Sequence, residues 1–92
     1  MLLNFLSVTV NLSNMENNAT YNHVIGELKS QSRLWKKVED NLENISLSKT
    51  RIGNYGIFYN GVFTGMFIER SFVNEAEVYD AGWKINKNVM EH

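Results

Sequence analysis

The sequence YGIFYNGVFTGMFI, residues 55–68, predicts an antiparallel β-hairpin. Its centre is Asn60-Gly61, a dipeptide preferred in two-residue type I′ turns because both turn residues need a positive φ. A two-residue turn also sets the pairing of the strands that it joins. The expected pairs are Tyr59 with Val62, Phe58 with Phe63, Ile57 with Thr64 and Gly56 with Gly65.

Both faces of this hairpin are apolar. Alternation along the strands assigns to one face Tyr55, Ile57, Tyr59, Val62, Thr64, Met66 and Ile68. The opposite face carries Phe58, Phe63 and Phe67. A hairpin with one face in water normally alternates apolar with polar residues, so we expect both faces to be covered. A helix can cover one face, and the other needs the C-terminal segment, a second subunit or a bound partner.

The segment before the hairpin has the periodicity of a helix. Between Ala19 and about Ile45, the residues spaced by three and four are Tyr21, Val24, Leu28, Gln31, Trp35, Val38, Leu42 and Ile45. This pattern predicts one long helix that packs its apolar stripe on the sheet, with Trp35 and Leu42 in the core. A short coiled-coil seam is the alternative. Residues 46–54 are predicted to form a polar connection.

The two ends of the chain add one element each. Residues 6–13 alternate between apolar and polar side chains, which predicts a strand at about residues 3–12. Asn74 can cap a short second helix, and the alternative is a turn at 80–82 followed by a strand from Trp83. The predicted fold is a single α+β domain spanning residues 1–92, ordered β-α-β-β-α. Its small antiparallel or mixed sheet has about three strands, packed with one long and one short helix.

The composition excludes several functions. The 92 residues contain no Cys and no Pro, and their formal net charge is −1. Without Cys, disulfides, thiolate catalysis and Cys-ligated zinc are excluded. A net charge near zero argues against an obligate polyanion binder. No stretch approaches the ~18 apolar residues of a membrane span, and residues 1–12 lack the basic start of a signal peptide, so we expect a cytoplasmic protein without membrane association.

Catalytic and metal-binding patterns are weak. His23 lies four residues before Glu27, a spacing that suits two metal ligands on one helix face, but no third ligand is evident nearby. The sequence contains no phosphate-binding loop, zinc-protease or serine-hydrolase motif. We therefore expect no catalytic residue, no metal site and no cofactor, and we predict that the protein is not an enzyme.

The predicted function is that of a small non-enzymatic binding protein that docks on a partner protein through the hairpin. The predicted contact residues are Tyr55, Ile57, Tyr59, Val62 and Met66. The same apolar surface makes a homodimer possible. The Asn-rich, Pro-free and Cys-free composition resembles that of small proteins from phages and mobile elements. On that compositional analogy, we expect inhibition of a host macromolecule in the host cytoplasm.

The alternative function is a nucleic-acid-binding module. One helix side carries a basic face of four residues, Lys29, Arg33, Lys36 and Lys37, which could contact phosphates. The rings that could stack on unpaired bases are those of Tyr55, Phe58 and Tyr59. A solvated helix face is the simpler interpretation of the charges, and sheet packing is the simpler interpretation of the rings.

Overall fold

The computed structural model of this protein describes residues 17–91. The helices of this part are α1 (Ala19–Lys29), α2 (Ser32–Val38) and α3 (Glu75–Asp80). The strands are β1 (Ile45–Thr50), β2 (Tyr55–Tyr59), β3 (Val62–Ile68) and β4 (Lys84–Met90). Short 3-10 turns occur at Leu42–Asn44 and Arg70–Phe72. The strand predicted at residues 3–12 lies outside the described residues.

The four described strands form one mixed sheet in the order β3-β2-β1-β4. The β1–β2 and β2–β3 pairs are antiparallel, and β4 runs parallel to β1. The chain reaches β4 from β3 through α3, which is the crossover that a parallel strand requires. The α+β class is confirmed, but the sheet of residues 17–91 has four strands rather than about three, and these residues form three helices rather than two.

The predicted helix from Ala19 to Ile45 is wrong in its extent, because the chain breaks it after Lys29. The hydroxyl of Ser30 donates to the carbonyl oxygen of Glu27 at 2.6 Å, which competes with continuation of the helix. Gln31 then adopts an extended backbone, with φ −111° and ψ 91°, before α2 begins.

The apolar stripe of the predicted helix nevertheless faces the sheet. Val24 and Leu28 of α1 and Val38 of α2 are fully buried. Trp35 and Leu42, the predicted core residues, are partly buried and pack against that core. The helical periodicity therefore identified the buried side of α1 and α2, whereas Gln31 of the same stripe is exposed and Ile45 belongs to strand β1 rather than to a helix.

The predicted polar connection at residues 46–54 is also wrong over its first five residues, because Ile45–Thr50 is the interior strand β1, whereas residues 51–54 form the turn that joins β1 to β2. β1 pairs with β2 on one side and with β4 on the other, so its backbone is hydrogen-bonded at both edges. Ser48 and Thr50 are 3% and 4% exposed. The serines indicate a loop when they are considered alone, whereas pairing on both sides makes them part of the sheet.

The hairpin prediction is confirmed at its turn and in its strands. Asn60 and Gly61 have φ values of 50° and 77°, and Tyr59–Val62 and Phe58–Phe63 pair as expected. Beyond Phe58 the register shifts by two residues.

The shift makes the predicted pairing of Gly56 with Gly65 wrong, because Gly56 pairs with Phe67 and Tyr55 with Ile68. The predicted pair of Ile57 and Thr64 is replaced by a bulge, in which Thr64 Oγ1 donates to the Ile57 carbonyl oxygen at 2.7 Å. A shift of two residues preserves the side of the sheet on which each of the paired residues lies.

The C-terminal segment combines both alternatives. The side chain of Asn74 accepts a hydrogen bond from Ala76 N–H at 3.0 Å and caps α3, as predicted. The helix ends at Asp80, and Gly82 follows with a φ of 81°, a conformation that favours glycine and ends the helix. From Lys84 the chain is β4, so a helix continuing beyond Asp80 is wrong and the strand alternative is confirmed.

The core lies between the helices and one face of the sheet. Its buried apolar residues are Val24, Ile25, Leu28, Val38, Ile45, Leu47, Tyr55, Ile57, Ile68, Val78 and Trp83. The Trp83 indole N–H donates to the Leu42 carbonyl oxygen at 2.8 Å, and the ring of Tyr21 stacks on Trp83 at a centroid distance of 5.1 Å. These contacts join α1, the turn after α2 and the start of β4.

Candidate functional site

The face of the sheet opposite the helices is the candidate site. All three helices contribute buried residues to the core on the side of Leu47 and Ile57. Alternation sends the intervening residues to the other side, which we call the open face. Two rows of paired residues cross this face from β3 through β2 and β1 to β4. The first row is Phe63, Phe58, Ser46 and Lys84, and the second is Phe67, Gly56, Ser48 and Asn86.

One half of the open face is aromatic. The centroid distances are 5.4 Å between Phe58 and Phe63 and 5.1 Å between Phe63 and Phe67. Met90 of β4 reaches across β1 to this half, where a Cβ added to Gly56 would lie 2.5 Å from its sulfur and 3.2 Å from Phe63 Cε1. Gly56 therefore permits a close contact between distant parts of the sheet.

The other half of the open face is polar and concave. Asn86 Nδ2 donates to Ser48 Oγ at 2.6 Å, which holds the amide against β1. The adjoining depression has a volume of about 460 Å³ and is lined by Ser48, Phe58, Gly61, Asn86, Lys87, Asn88, Val89 and Met90. Two large apolar side chains near this face are well exposed to solvent, Val89 at 54% and Ile52 at 78%. Ile52 lines a smaller pocket with Phe67.

The charges of the sheet have one sign. The four strands contain no Asp or Glu and three lysines, Lys49, Lys84 and Lys87. Within residues 17–91 the carboxylates lie on helices, on turns, on the residue after β3 and on the residue after β4. That last residue, Glu91, forms an ion pair with Arg51 at 2.7 Å. Lys87 and Phe58 line the same depression, Lys84 lies two strands from Phe58 in the same row, and the described sheet carries no strand carboxylate.

Both edge strands of the described sheet are irregular. In β3, three residues, Thr64 to Met66, oppose Ile57. In β4, the register with β1 shifts between Ser48 and Thr50, where Thr50 pairs with Met90. Bulges and lysines on edge strands are devices that oppose the addition of another strand. Both edges of the described sheet are therefore poorly suited to the addition of another strand.

The structure places the predicted contact residues mainly on the inner face. Tyr55 and Ile57 are 3% and 0% exposed, and Tyr59 and Met66 are partly buried against the core. Only Val62 of this set is well exposed, at 69%. Because the helices cover the inner face, these five residues do not form one accessible surface. The sequence had separated the two faces correctly but could not show which of them the helices cover.

Tyr55 has a structural role at this inner position. Its hydroxyl donates to Glu75 Oε2 at 2.6 Å, which joins β2 to the first turn of α3. Burial of the ring, reinforced by the neighbouring carboxylate, raises the pKa of Tyr55 to about 12. The phenol therefore stays neutral and continues to donate this hydrogen bond at physiological pH.

The predicted basic face is divided into separate environments. Lys29 Nζ lies 5.3 Å from the centroid of the Trp35 ring, a cation–π contact. Arg33 and Lys37 line a groove between α2 and β3, and Lys36 is exposed outside it. Among the lysines and arginines of residues 17–91, Arg51 forms an ion pair, with Glu91, and none of the four residues of the basic face has a carboxylate partner in this part of the chain.

The remaining chemistry of the described residues is limited. His23 Nε2 lies 3.8 Å from Glu27 Oε1, and its ring stacks on Phe72 at 4.1 Å. Residues 17–91 contain no group of three His, Asp or Glu side chains placed to hold a metal ion. No helix in the same part of the chain is both long and apolar enough to cross a membrane.

No protein-family model, curated protein or solved structure matches the chain.

Proposed function

We propose that this protein is a small non-enzymatic binding protein that docks on a partner protein through its open face. The observation that carries this proposal is the group of three half-buried phenylalanines on a sheet face to which no described helix contributes, next to Val89 and Ile52, which are well exposed. A contiguous apolar surface that includes exposed side chains usually marks an interaction site on a small protein.

The arrangement of the open face suits a protein interface. Aromatic residues and methionine are enriched at the centres of such interfaces, and charged residues are depleted there. On the open face the phenylalanines lie on β2 and β3, Met90 of β4 reaches them beside Gly56, and Lys84 and Lys87 lie on β4. The complementary partner surface has an apolar region with carboxylates on one side, since opposite charges favour correct orientation and rapid association.

Nucleic-acid binding is the second candidate, because rings and lysines share one face. Aromatic rings on an open four-stranded sheet can stack on unpaired bases. Here, however, Phe63 contacts the rings of both Phe58 and Phe67, so part of the aromatic surface is already used. Together with the net charge of −1, this favours a protein partner.

The test compares two aspartate substitutions at exposed valines. Val89→Asp alters the open face, and Val62→Asp alters the exposed end of β3 near the turn. We expect affinity capture from the native cell, with nuclease treatment, to recover one protein in stoichiometric amount with the parent chain and with Val62→Asp. Recovery should fall at least about tenfold with Val89→Asp, which places a buried charge in the interface.

Three outcomes would contradict the proposal. Loss of the partner with Val62→Asp but not with Val89→Asp would move the surface to the inner side of the hairpin. Loss of all captured material on nuclease treatment would favour nucleic acid. Equal binding by both variants and the parent chain would exclude the open face. Inhibition of the partner and a location in the host cytoplasm stay predictions that rest on composition.

A further inference from the structure

We infer that the groove between α2 and β3 binds a compact organic phosphate monoester. The groove has a volume of about 470 Å³, and its lining residues are Gln31, Arg33, Leu34, Lys37, Thr64, Gly65 and Met66. This volume lies within the ~300–1,000 Å³ of typical small-ligand sites. The site lies apart from the open face and does not depend on the proposed function.

The cations of the groove are placed to act together. Arg33 and Lys37 are four residues apart on α2, so they project from the same side of the helix and line one concavity. Neither has a carboxylate partner within residues 17–91, whereas Arg51 is paired with Glu91. A guanidinium recognises phosphate oxygens in a bidentate geometry, and an adjacent ammonium supplies a second positive charge. A phosphate monoester, with up to two negative charges near neutral pH, matches this pair.

The opposite wall of the groove is the bulge of β3. Gly65 has a φ of 89°, and no other group lies within 4 Å of the position that a Cβ would occupy. A ligand can therefore approach the backbone closely at this point. Thr64 Oγ1 donates to the Ile57 carbonyl oxygen and accepts from Met66 N–H at 3.3 Å, so its hydroxyl holds the shape of the bulge.

The groove also has an apolar component. Leu34 and Met66 are partly buried, and their packing against the core holds them in position. They offer apolar contact area beside the two cations, and Gln31 adds an amide group. This combination selects for an anion attached to an apolar or planar group, and we therefore expect an aryl phosphate to bind more tightly than inorganic phosphate.

The experiment is an NMR titration of the full chain with phenyl phosphate, with inorganic phosphate as the second probe. Saturable shifts are expected at the amides of α2 and of the β3 bulge. The double variant Arg33→Gln/Lys37→Gln should weaken phenyl phosphate binding at least about tenfold. The matched control, Lys29→Gln/Lys36→Gln, removes the same charge from outside the groove and should change the affinity by less than about threefold.

Each alternative outcome would overturn the inference. Equal weakening by the two double variants would show diffuse charge attraction rather than a site. Unsaturable shifts, or shifts confined to the open face, would exclude the groove. Because all four substitutions are at exposed positions, both variants should unfold at nearly the parent denaturant concentration. Failure of this inference would leave the proposed function standing, since that function is tested with Val89→Asp.

Discussion

Replacing Gly56 with alanine should destabilise the protein through a clash with Met90. An added Cβ would lie 2.5 Å from the methionine sulfur, closer than carbon and sulfur atoms approach, and 3.2 Å from Phe63 Cε1. The methionine must move, and the ring must shift by a few tenths of an ångström. Overpacking of a rigid core costs about 1–3 kcal/mol of unfolding free energy, and because the clashing atom lies near the end of the flexible Met90 side chain, the cost here should lie near the lower limit, about 1 kcal/mol.

The pairing with Met90 can be isolated by a double-mutant cycle. Met90→Ala alone should cost about 1–2 kcal/mol, less than truncation of a fully buried methionine, because Met90 is only partly buried. In the Met90→Ala background the Gly56→Ala cost should fall by about 0.5–1 kcal/mol, since the shortest contact is gone. Urea unfolding followed by tryptophan fluorescence gives the four free energies.

The matched control is Gly26→Ala, in which the added methyl group on α1 meets no other group within 4 Å. This change should stabilise the protein by up to about 1 kcal/mol, because alanine is the better helix former. Additive effects of the Gly56 and Met90 substitutions would refute the reasoning. They would mean that the Met90 side chain does not cross β1 to reach Gly56.

Two further predictions concern pH and association. Glu77 Oε1 accepts from the hydroxyl of Thr20 at 2.8 Å and from its N–H at 3.0 Å, which holds the pKa of the Glu77 carboxyl below its usual range. Because the folded-state pKa is the lower one, Glu77 stabilises the fold above about pH 4.5 and this contribution is lost as pH falls. The variant Glu77→Gln should therefore be less stable at neutral pH and show a smaller decline on acidification, measured by thermal melts; parallel pH curves for the two proteins would refute this. The homodimer also stays a prediction: sedimentation should show concentration-dependent association that Val89→Asp reduces, and a strict monomer at high micromolar concentration would contradict it.

The local signals of the chain were sufficient for several elements. Asn60-Gly61 specified the hairpin turn because few other residue pairs adopt two consecutive positive φ values. Asn74 specified the start of α3 because its side chain caps a helix without help from the rest of the fold. The helical stripe through Val24 and Leu28 also identified the buried side of α1 correctly. In each case the decisive contacts lie within a few residues along the chain.

The elements that the sequence missed depend on distant partners. Ile45–Thr50 becomes a central strand only because β2 and β4 flank it, and Asn86 then satisfies the enclosed hydroxyl of Ser48. The two-residue shift in β3 depends on a hydrogen bond from Thr64 to a neighbouring strand. Neither the formation of strand β1 nor the register shift in β3 is marked by a periodic pattern in its own segment of the sequence.

The candidate sites show the same division. From the sequence alone, the hairpin had two apolar faces, and Arg33 and Lys37 had a spacing that placed them on one side of a helix. Only the tertiary structure decided that the helices cover the face of Tyr55 and Ile57, and that the two cations meet the bulge of β3. The physical reason is that alternation and helical spacing determine which residues share a side, whereas the neighbour that covers that side is chosen by packing across the whole chain.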